Sequence, residues 1–246
     1  MILSEEAGIT LSVEEGTAPE GRDNLAVQAA ELFFSERGLP PAVHLSLWKR
    51  IPSEAGLGGG SADAAAVLRG LNRLQGMPFS EDELAALGAR LGADVPFCIA
   101  GGAARCRGIG EKLTVLPSWE SLPLVIVRPD ISVSTKEAYQ LWDRKGKIIS
   151  RSGASAEAAL KEKNTTMLAA SLCNDFETVL FENSDTLWEA SAFLKGFGRP
   201  ALLSGSGSAF FLMAGSESDG EKIVEVIHEA RPDWFAATAY TTGGTR

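Results

Sequence analysis

Histidine and cysteine are scarce in this chain of 246 residues. His44 and His228 are the only two histidines, so catalytic triads that use a histidine base and histidine-rich metal centres are poorly supported. The three cysteines, Cys98, Cys106 and Cys173, form an odd set with no C-x-x-C pair. This usage is typical of reduced thiols in the cytoplasm, and we expect most of them to be buried.

Long apolar runs and excess positive charge are also missing. No stretch of about 18 apolar residues exists, and no basic-then-apolar leader precedes the first predicted strand. We therefore expect a cytoplasmic protein with no membrane partner. The 23 Lys and Arg against 32 Asp and Glu give a net charge of −9, which argues against nucleic acid as a partner. A polyanionic small ligand would need local positive potential from helix N-termini, a few cations and a metal ion.

The remaining composition is that of an ordinary globular protein, with 45% hydrophobic and 22% charged residues. Alternating apolar residues predict strands near residues 9–13, 43–47, 101–107, 113–116, 124–127, 209–213 and 234–240. Helical spacing predicts helices between most of them, including one with a Ser80-x-x-Glu83 capping box. This alternation indicates a two-domain α+β protein, and we place the domains at residues 1–117 and 118–246.

A glycine-rich stretch, residues 52–66, is the most informative part of the sequence. Four glycines fall within five positions, directly ahead of a predicted helix: Gly56, Gly58, Gly59 and Gly60. Glycine permits positive φ and lets a ligand approach the backbone, while the first N–H groups of a helix attract anions. We expect Ser61 to cap the first turn of this helix. The stretch therefore predicts a phosphate-binding site.

Two common phosphate-binding motifs do not match this stretch. A Walker A loop ends in Gly-Lys-Ser/Thr, whereas Gly60 is followed by Ser61 and Ala62. A dinucleotide fingerprint needs a further glycine where Asp63 stands. A flexible turn that feeds a helix is the plain structural alternative, and a polyphosphate loop of another type is the favoured interpretation.

Asp94 stands just ahead of Val95-Pro96, at the end of a predicted helix. Because a residue before proline favours extended backbone, we expect a sharp connection from this helix into a strand. From the residues alone, an aspartate at such a place is more often a turn or cap residue than a catalytic group.

The pattern Pro-x-x-x-Gly-Leu-Gly-Gly-Gly-Ser-Ala, which begins at Pro52, resembles the ATP-binding loop of the GHMP kinases. Three later stretches agree with this family: residues 91–97 (LGADVPF), 174–177 (NDFE) and 204–210 (SGSGSAF). Within it, the chain is most similar to the branch that phosphorylates 4-diphosphocytidyl-2-C-methyl-D-erythritol in the nonmevalonate route to isoprenoid precursors. The resemblance implies a ribosomal S5 domain 2-like N-terminal domain and a ferredoxin-like C-terminal domain.

The resemblance also implies a site that uses ATP and Mg²⁺. Asp94 takes the place of the catalytic base, Thr135 lies near the sugar end of the substrate, and Tyr139 stacks on cytosine. Gly205, Ser206 and Gly207 form a turn over the phosphates, and Ser61 is a candidate Mg²⁺ ligand. The predicted ATP-binding residues are Asn24, Lys49, Pro52, Ser53, Glu54, Ala55, Gly56, Leu57, Gly58, Gly59, Gly60, Ser61 and Ala62.

The chain departs from the family pattern at its start. Family members begin with a Pro-Ala-Lys-Xaa-Asn strand and an Asp-Gly-Tyr-His turn, and neither is found here. We therefore expect an open sheet edge near the site and weak activity or none, with two alternatives to the main function. One is another GHMP kinase of the homoserine or phosphomevalonate type, and the other is a nucleotide-binding protein without catalysis. A monomer and a homodimer are both compatible with the sequence.

Overall fold

The computed structural model describes residues 1–3, 7–145 and 153–244. The chain divides into two compact units. Of the described residues, the first comprises those of Met1–Ser53 and Gly58–Val115 together with Gly244, and the second comprises those of Glu54–Leu57 and Leu116–Gly243. This division after residue 115 lies close to the boundary predicted after residue 117, except that part of the glycine-rich stretch groups with the second unit.

The first unit is built on a three-stranded sheet of order β1-β3-β2. Its strands are β1 (Ile2–Leu3), β2 (Gly8–Glu15) and β3 (Ala42–Trp48). Strands β2 and β3 are parallel and are joined through helix α1 (Leu25–Arg37), whereas β1 pairs antiparallel with β3. The strands predicted near residues 9–13 and 43–47 are confirmed, and β3 ends directly before Lys49.

Three more helices and a two-stranded ribbon complete the first unit: α2 (Gly59–Leu74), α3 (Glu81–Ala89), α4 (Val95–Ala100), β4 (Ala103–Arg107) and β5 (Lys112–Leu116). The apolar faces of α1, α2, α3 and α4 form one core with β3, in which Phe33, Leu68, Leu71 and Val95 are fully buried. The capping box is confirmed, since the Ser80 hydroxyl accepts from the Glu83 N–H and the Glu83 carboxylate accepts from the Ser80 N–H.

The strand expected after Asp94 is wrong, because α4 begins at Val95. Pro96 lies in the first turn of this helix, where a missing N–H costs no intrahelical hydrogen bond. The preference of a residue before proline for extended backbone is overridden by the burial of Val95 and Ile99 in the core. Asp94 is therefore the N-cap residue of a short helix.

The second unit is built on a four-stranded antiparallel sheet of order β7-β8-β6-β9, with strands β6 (Pro123–Arg128), β7 (Ala201–Leu203), β8 (Phe210–Met213) and β9 (Phe235–Tyr240). Between β6 and β7, the described residues form five helices: α5 (Thr135–Lys145), α6 (Gly153–Glu162), α7 (Thr165–Ser171), α8 (Glu177–Asn183) and α9 (Asp185–Lys195). A single helix, α10 (Glu217–Ala230), joins β8 to β9. The β-α-β-β-α-β order confirms the ferredoxin-like arrangement.

The core of the second unit lies between this sheet and its helices. Val125 and Val127 alternate into it from β6, and Phe210 and Leu212 do so from β8. Since β7 and β8 are adjacent antiparallel strands, residues 204–209 form the connection between them. This connection carries the predicted substrate turn.

The expectation of mostly buried thiols is wrong. Cys106 and Cys173 are exposed, and Cys98 is only partly buried. Cys106 lies on the two-stranded ribbon and Cys173 in the segment between α7 and α8, which pack less deeply than the two cores.

Candidate active site

Helix α2 begins on glycine. Its N-cap residue, Gly58, has φ 67° and ψ 17°, a left-handed conformation that favours glycine. The N–H groups of the first turn, which starts at Gly59, have no intrahelical acceptor and stand at the positive end of the helix dipole. No heavy atom lies within 4 Å of the place where a Cβ of Gly58 would stand, so the backbone is open on that side.

The capping role predicted for Ser61 is wrong. Because Gly58 is the N-cap, Ser61 is already the third residue of α2. Its hydroxyl therefore lies in the first turn, beside the N–H groups that the glycines expose. This position suits a group that meets a phosphate or a metal ion bound to one.

Lys49 lies against the first turn of α2. Its Nζ is 2.5 Å from Oδ2 of Asp63, and the lysine side chain is 8% exposed. A Cβ on Gly59 would stand 2.9 Å from the same Nζ, so glycine at this position lets the ammonium approach the helix. The structure therefore brings Lys49 and Gly59 together, as the predicted nucleotide site requires.

Asp63 is a candidate site residue that the sequence did not reveal. It lies four positions after Gly59, on the same side of α2, and its carboxylate fixes the Lys49 ammonium. The helical spacing from the glycines was the available signal.

Asn24 caps α1. Its Oδ1 accepts from the Ala26 N–H at 2.9 Å, and its Nδ2 donates to the Pro19 carbonyl at 2.9 Å. The residue is 4% exposed, and these bonds account for a buried asparagine without any ligand. The nucleotide contact assigned to Asn24 stays a prediction.

Asp94 is exposed at the start of α4, and in the described chain its side chain makes no capping hydrogen bond. Burial raises the pKa of the Cys98 thiol to about 11, and the negative charge of Asp94 adds to this. The pKa of Cys106 is raised for the same two reasons, burial first. Both thiols are therefore protonated at neutral pH.

The second unit brings the predicted substrate turn and α5 together. Oγ1 of Thr135, the first residue of α5, is 3.0 Å from Oγ of Ser206. Gly205 and Gly207, on either side of Ser206, have φ of 53° and 86°. Ser206 is 7% exposed, and the neighbouring Ser208 hydroxyl donates to the Ile131 carbonyl. The turn is thus held to α5 and to the segment that precedes it.

Tyr139 follows Thr135 by about one helical turn. Its ring packs edge-on against Phe176, with the centroids 5.0 Å apart, yet the residue is 54% exposed. Such a ring is held on one side and open on another. This is what stacking on a nucleobase requires.

Part of the predicted ATP-binding stretch packs against the same turn. The Ala209 N–H donates to the Ala55 carbonyl at 2.9 Å, and the Ser204 hydroxyl donates to the Gly56 carbonyl at 2.9 Å. A Cβ on Gly56 would overlap the Ser204 carbonyl oxygen and stand 2.8 Å from that of Gly207. Glycine is therefore the residue that fits at position 56.

The other predicted ATP-binding residues are less constrained. The Ser53 hydroxyl donates to the Thr17 carbonyl at 3.2 Å in the first unit, while Glu54 has a positive φ of 53°. Pro52 and Leu57 lie in the irregular segment that leads to α2, and Gly60 and Ala62 lie in its first turn.

Asn174 and Glu177 are further residues whose contacts the sequence did not reveal. Nδ2 of Asn174 donates to the carbonyls of Leu203 and Gly205, at 2.8 and 2.7 Å. Oε1 of Glu177 accepts from the Leu203 N–H at 2.9 Å, and burial raises the pKa of this carboxyl. The NDFE motif was the signal, but its partners lie on another element of the fold.

The described residues contain neither a cluster of metal-binding side chains nor a helix that could span a membrane. Among residues 1–3, 7–145 and 153–244, no group of three or more His, Cys, Asp or Glu could hold a metal ion. Within the same ranges, no helix has the length and apolar character needed to cross a membrane.

Two family models match the chain. The model of the GHMP kinases N terminal domain matches residues 24–102, and that of the GHMP kinases C terminal domain matches residues 156–233. The first match contains the start of α2 together with Lys49 and Asp94. The second contains the turn between β7 and β8.

Curated proteins are similar over most of the chain. The 4-diphosphocytidyl-2-C-methyl-D-erythritol kinase of Desulfitobacterium hafniense is 41% identical over 226 residues, which cover 91% of this chain and 77% of that protein. The protein of the same name from Caldicellulosiruptor saccharolyticus is 37% identical over 90% of this chain and 77% of its own length.

Solved structures are similar as well. A crystal structure of 4-(cytidine 5'-diphospho)-2C-methyl-D-erythritol kinase matches with a TM-score of 0.79 and 33% identity, covering 98% of this chain and 84% of that one. Homoserine kinase from Cytophaga hutchinsonii matches with a TM-score of 0.74 and 20% identity, over 99% of this chain and 85% of that one. This second match shows a shared fold.

Proposed function

Because the chain belongs to the 4-diphosphocytidyl-2-C-methyl-D-erythritol kinase family of GHMP kinases, we propose that it transfers the γ-phosphoryl group of ATP to the 2-hydroxyl of 4-diphosphocytidyl-2-C-methyl-D-erythritol. The product is an intermediate in the nonmevalonate synthesis of isoprenoid precursors. The observation that carries the proposal is the glycine N-terminus of α2, which leaves backbone N–H groups available to phosphates.

The first turn of α2 would hold the triphosphate. Gly59, Gly60 and Ser61 supply its N–H groups, and the left-handed Gly58 lets the chain enter the helix without a side chain over them. Lys49 adds a positive charge next to Gly59, where Asp63 keeps its ammonium in place. These local charges offset the net charge of −9, which would otherwise repel ATP.

Mg²⁺ fits this site as a companion of ATP. Because the described residues include no three-donor cluster, its ligands would be mainly phosphate oxygens and water, with the Ser61 hydroxyl as the protein's contribution. Bound there, the ion would neutralise charge on the transferring phosphoryl group.

Asp94 would act as the general base. Its exposed carboxylate accepts the proton of the 2-hydroxyl as this oxygen forms a bond to the γ-phosphorus, and the bond to the β-phosphate oxygen breaks to release ADP. The two neighbouring thiols, with raised pKa values, remain protonated and do not compete for the proton.

The second unit would bind the alcohol substrate. Tyr139 presents an exposed ring to the cytosine, and Thr135 lies near the sugar end. The turn at Gly205, Ser206 and Gly207 would cover the phosphates of the cytidylyl group. The hydrogen bond between Thr135 and Ser206 supports a single site for these contacts. The cytoplasmic location and the monomeric or homodimeric state stay predictions.

A coupled assay of ADP release tests the proposal. Purified protein with ATP and Mg²⁺ should release ADP when 4-diphosphocytidyl-2-C-methyl-D-erythritol is added, and not with homoserine or phosphomevalonate. ADP release with one of the other alcohols instead would point to another GHMP kinase. ATP binding by calorimetry with no ADP release on any alcohol would indicate nucleotide binding without catalysis.

A further inference from the structure

Asn174 lies outside the proposed mechanism, yet it joins two of the predicted substrate elements. It precedes α8, and its amide makes three hydrogen bonds to backbone groups. Nδ2 donates to the carbonyls of Leu203 and Gly205, and Oδ1 accepts from the Phe176 N–H at 2.9 Å. One planar amide thus connects the substrate turn with the segment that leads into α8.

The two donated bonds fix the entry to the turn. Leu203 and Gly205 flank Ser204, so both carbonyls around that residue must face the same Asn174 amide. Gly205 has a φ of 53°, and the direction of its carbonyl sets the peptide plane that leads into Ser206. Ser206 is the residue whose hydroxyl meets Thr135.

The accepted bond fixes the support of Tyr139. Oδ1 of Asn174 holds the backbone of Phe176, whose ring packs edge-on against that of Tyr139. Phe176 also packs against Trp142, which lies on α5 with Tyr139, and the ring centroids are 6.2 Å apart. The aromatic side of the predicted substrate site therefore depends on the amide that also orients the turn.

We propose that Asn174 is a positioning residue for the alcohol substrate, which it does not touch. It holds the Gly205 carbonyl and the Phe176 backbone so that the turn and Tyr139 stand ready for the cytidine-diphosphate end of the substrate. This inference rests on the proposed function. Glu177 assists by accepting from the Leu203 N–H at the same turn.

The substitution Asn174→Asp tests the positioning role of Asn174, because aspartate has nearly the same shape as asparagine. It keeps the acceptor for the Phe176 N–H but turns a carboxylate oxygen, rather than a donor, toward the two carbonyls. The matched control is Asn164→Asp, because Asn164 caps α7 by accepting from the Met167 N–H at 3.0 Å and lies in the same unit. Aspartate caps a helix as well as asparagine does.

We expect Asn174→Asp to lower kcat/KM for the alcohol by about tenfold or more, because a carboxylate oxygen in place of the amide donor would face two carbonyl oxygens. The KM for ATP should change much less, because the three hydrogen bonds of the Asn174 amide go to Leu203, Gly205 and Phe176 and none goes to the predicted ATP-binding residues. Asn164→Asp should behave as the wild type. Equal kcat/KM values for the two variants would overturn the inference.

The pH dependence separates positioning from general loss of structure. Protonation of the introduced carboxyl gives it an O–H that donates to one of the carbonyls. The activity of Asn174→Asp relative to the wild type should therefore rise as the pH is lowered, with no such trend for Asn164→Asp. A ratio that is flat with pH would contradict the proposed hydrogen bonds.

Two further measurements keep the inference distinct from the proposed function. A wild type that neither releases ADP nor binds 4-diphosphocytidyl-2-C-methyl-D-erythritol by calorimetry would end the proposed function itself. Should Asn174→Asp fail to fold, Asn174→Ser, which retains a short donor, replaces it in the same assay. The inference would then be overturned if Asn174→Ser at pH 7 had the same kcat/KM for the alcohol as the wild type and also bound cytidine 5′-diphosphate with the same affinity.

Discussion

Two kinds of helix N-terminus occur in this protein. The N-cap residues of helices α3, α7, α9 and α10 are Ser80, Asn164, Ser184 and Ser216, and each of these side chains accepts from a backbone N–H of the first turn. Helix α2, with 16 residues, has instead Gly58 as its N-cap, which has no side chain to do so. A side-chain cap typically contributes about 1 kcal/mol. Helix α2, which begins within the glycine cluster, lacks this contribution. The backbone N–H groups of its first turn are therefore available to a ligand.

Asp94, the N-cap of α4, differs from the capping residues of the other helices. Aspartate is a good capping residue, yet the Asp94 side chain makes no capping hydrogen bond in the described structure. We expect Asp94→Asn to lower turnover by about 10²–10⁴-fold, since a general base is lost. The melting temperature and ATP affinity should stay near those of the wild type, because no cap is removed. Steady-state kinetics and a thermal melt measure both effects. An unchanged turnover number would remove Asp94 from the mechanism.

Gly58→Ala would break the special start of α2. A left-handed φ of 67° strains any residue with a Cβ, although no atom of the protein would contact that Cβ. We expect ATP to bind about tenfold more weakly, since the strain of roughly 1–2 kcal/mol shifts the first turn. Calorimetry with a non-hydrolysable ATP analogue measures this.

Gly38→Ala is the matched control for that substitution. Gly38 ends α1 with a φ of 62° and equally open space around it, so the strain is the same. Its substitution should lower the melting temperature by a similar amount and leave ATP affinity unchanged. Equal losses of ATP affinity in both variants would show that the effect of position 58 is general destabilisation.

Ser80→Ala tests the ordinary kind of N-terminus. Loss of the capping bond to the Glu83 N–H should cost about 1 kcal/mol of the free energy of unfolding, with kcat and the KM for ATP unchanged. Urea denaturation with activity measured in parallel checks both. A change in ATP affinity would mean that α3 is coupled to the glycine-rich stretch.

The smallest expected effect is a dependence of stability on pH at the same cap. The pKa of Glu83 is lowered from its usual value because its carboxylate accepts from the backbone N–H and also from the side chain of Ser80. A carboxyl whose folded pKa is lowered contributes stability above its unfolded pKa and loses it as the pH falls through the folded value. Melts of wild type and Glu83→Gln should therefore differ near neutral pH and converge in acid. A constant difference down to about pH 3 would contradict this.

Much of the fold follows from local patterns. The alternation at Ile9, Leu11 and Val13 predicts β2, and the Ser80-x-x-Glu83 spacing predicts the start of α3. These succeed because side-chain alternation and capping are decided within a few residues of chain. The glycine cluster likewise predicts the open N-terminus of α2 without knowledge of its neighbours.

The misses have two physical causes. Pro96 and Ser61 were misplaced because one local rule competes with another: proline is tolerated in a first turn, and a left-handed glycine starts a helix earlier than a serine would. Asp63 and Asn174 were missed as site residues because their partners are distant in sequence. The bond from Asn174 to Gly205 spans 31 positions, which no local period can reveal.

The contacts of Gly56 have a consequence for the order in which parts of the protein fold during synthesis. Its carbonyl is held by the hydroxyl of Ser204, 148 positions later, and its Cα faces the turn too closely for any side chain. A ribosome that has made only residues 1–115 has not yet supplied this partner. The bend ahead of α2 can therefore settle only after the hairpin of β7 and β8 has emerged, and ATP competence should be among the last properties the newly made chain acquires.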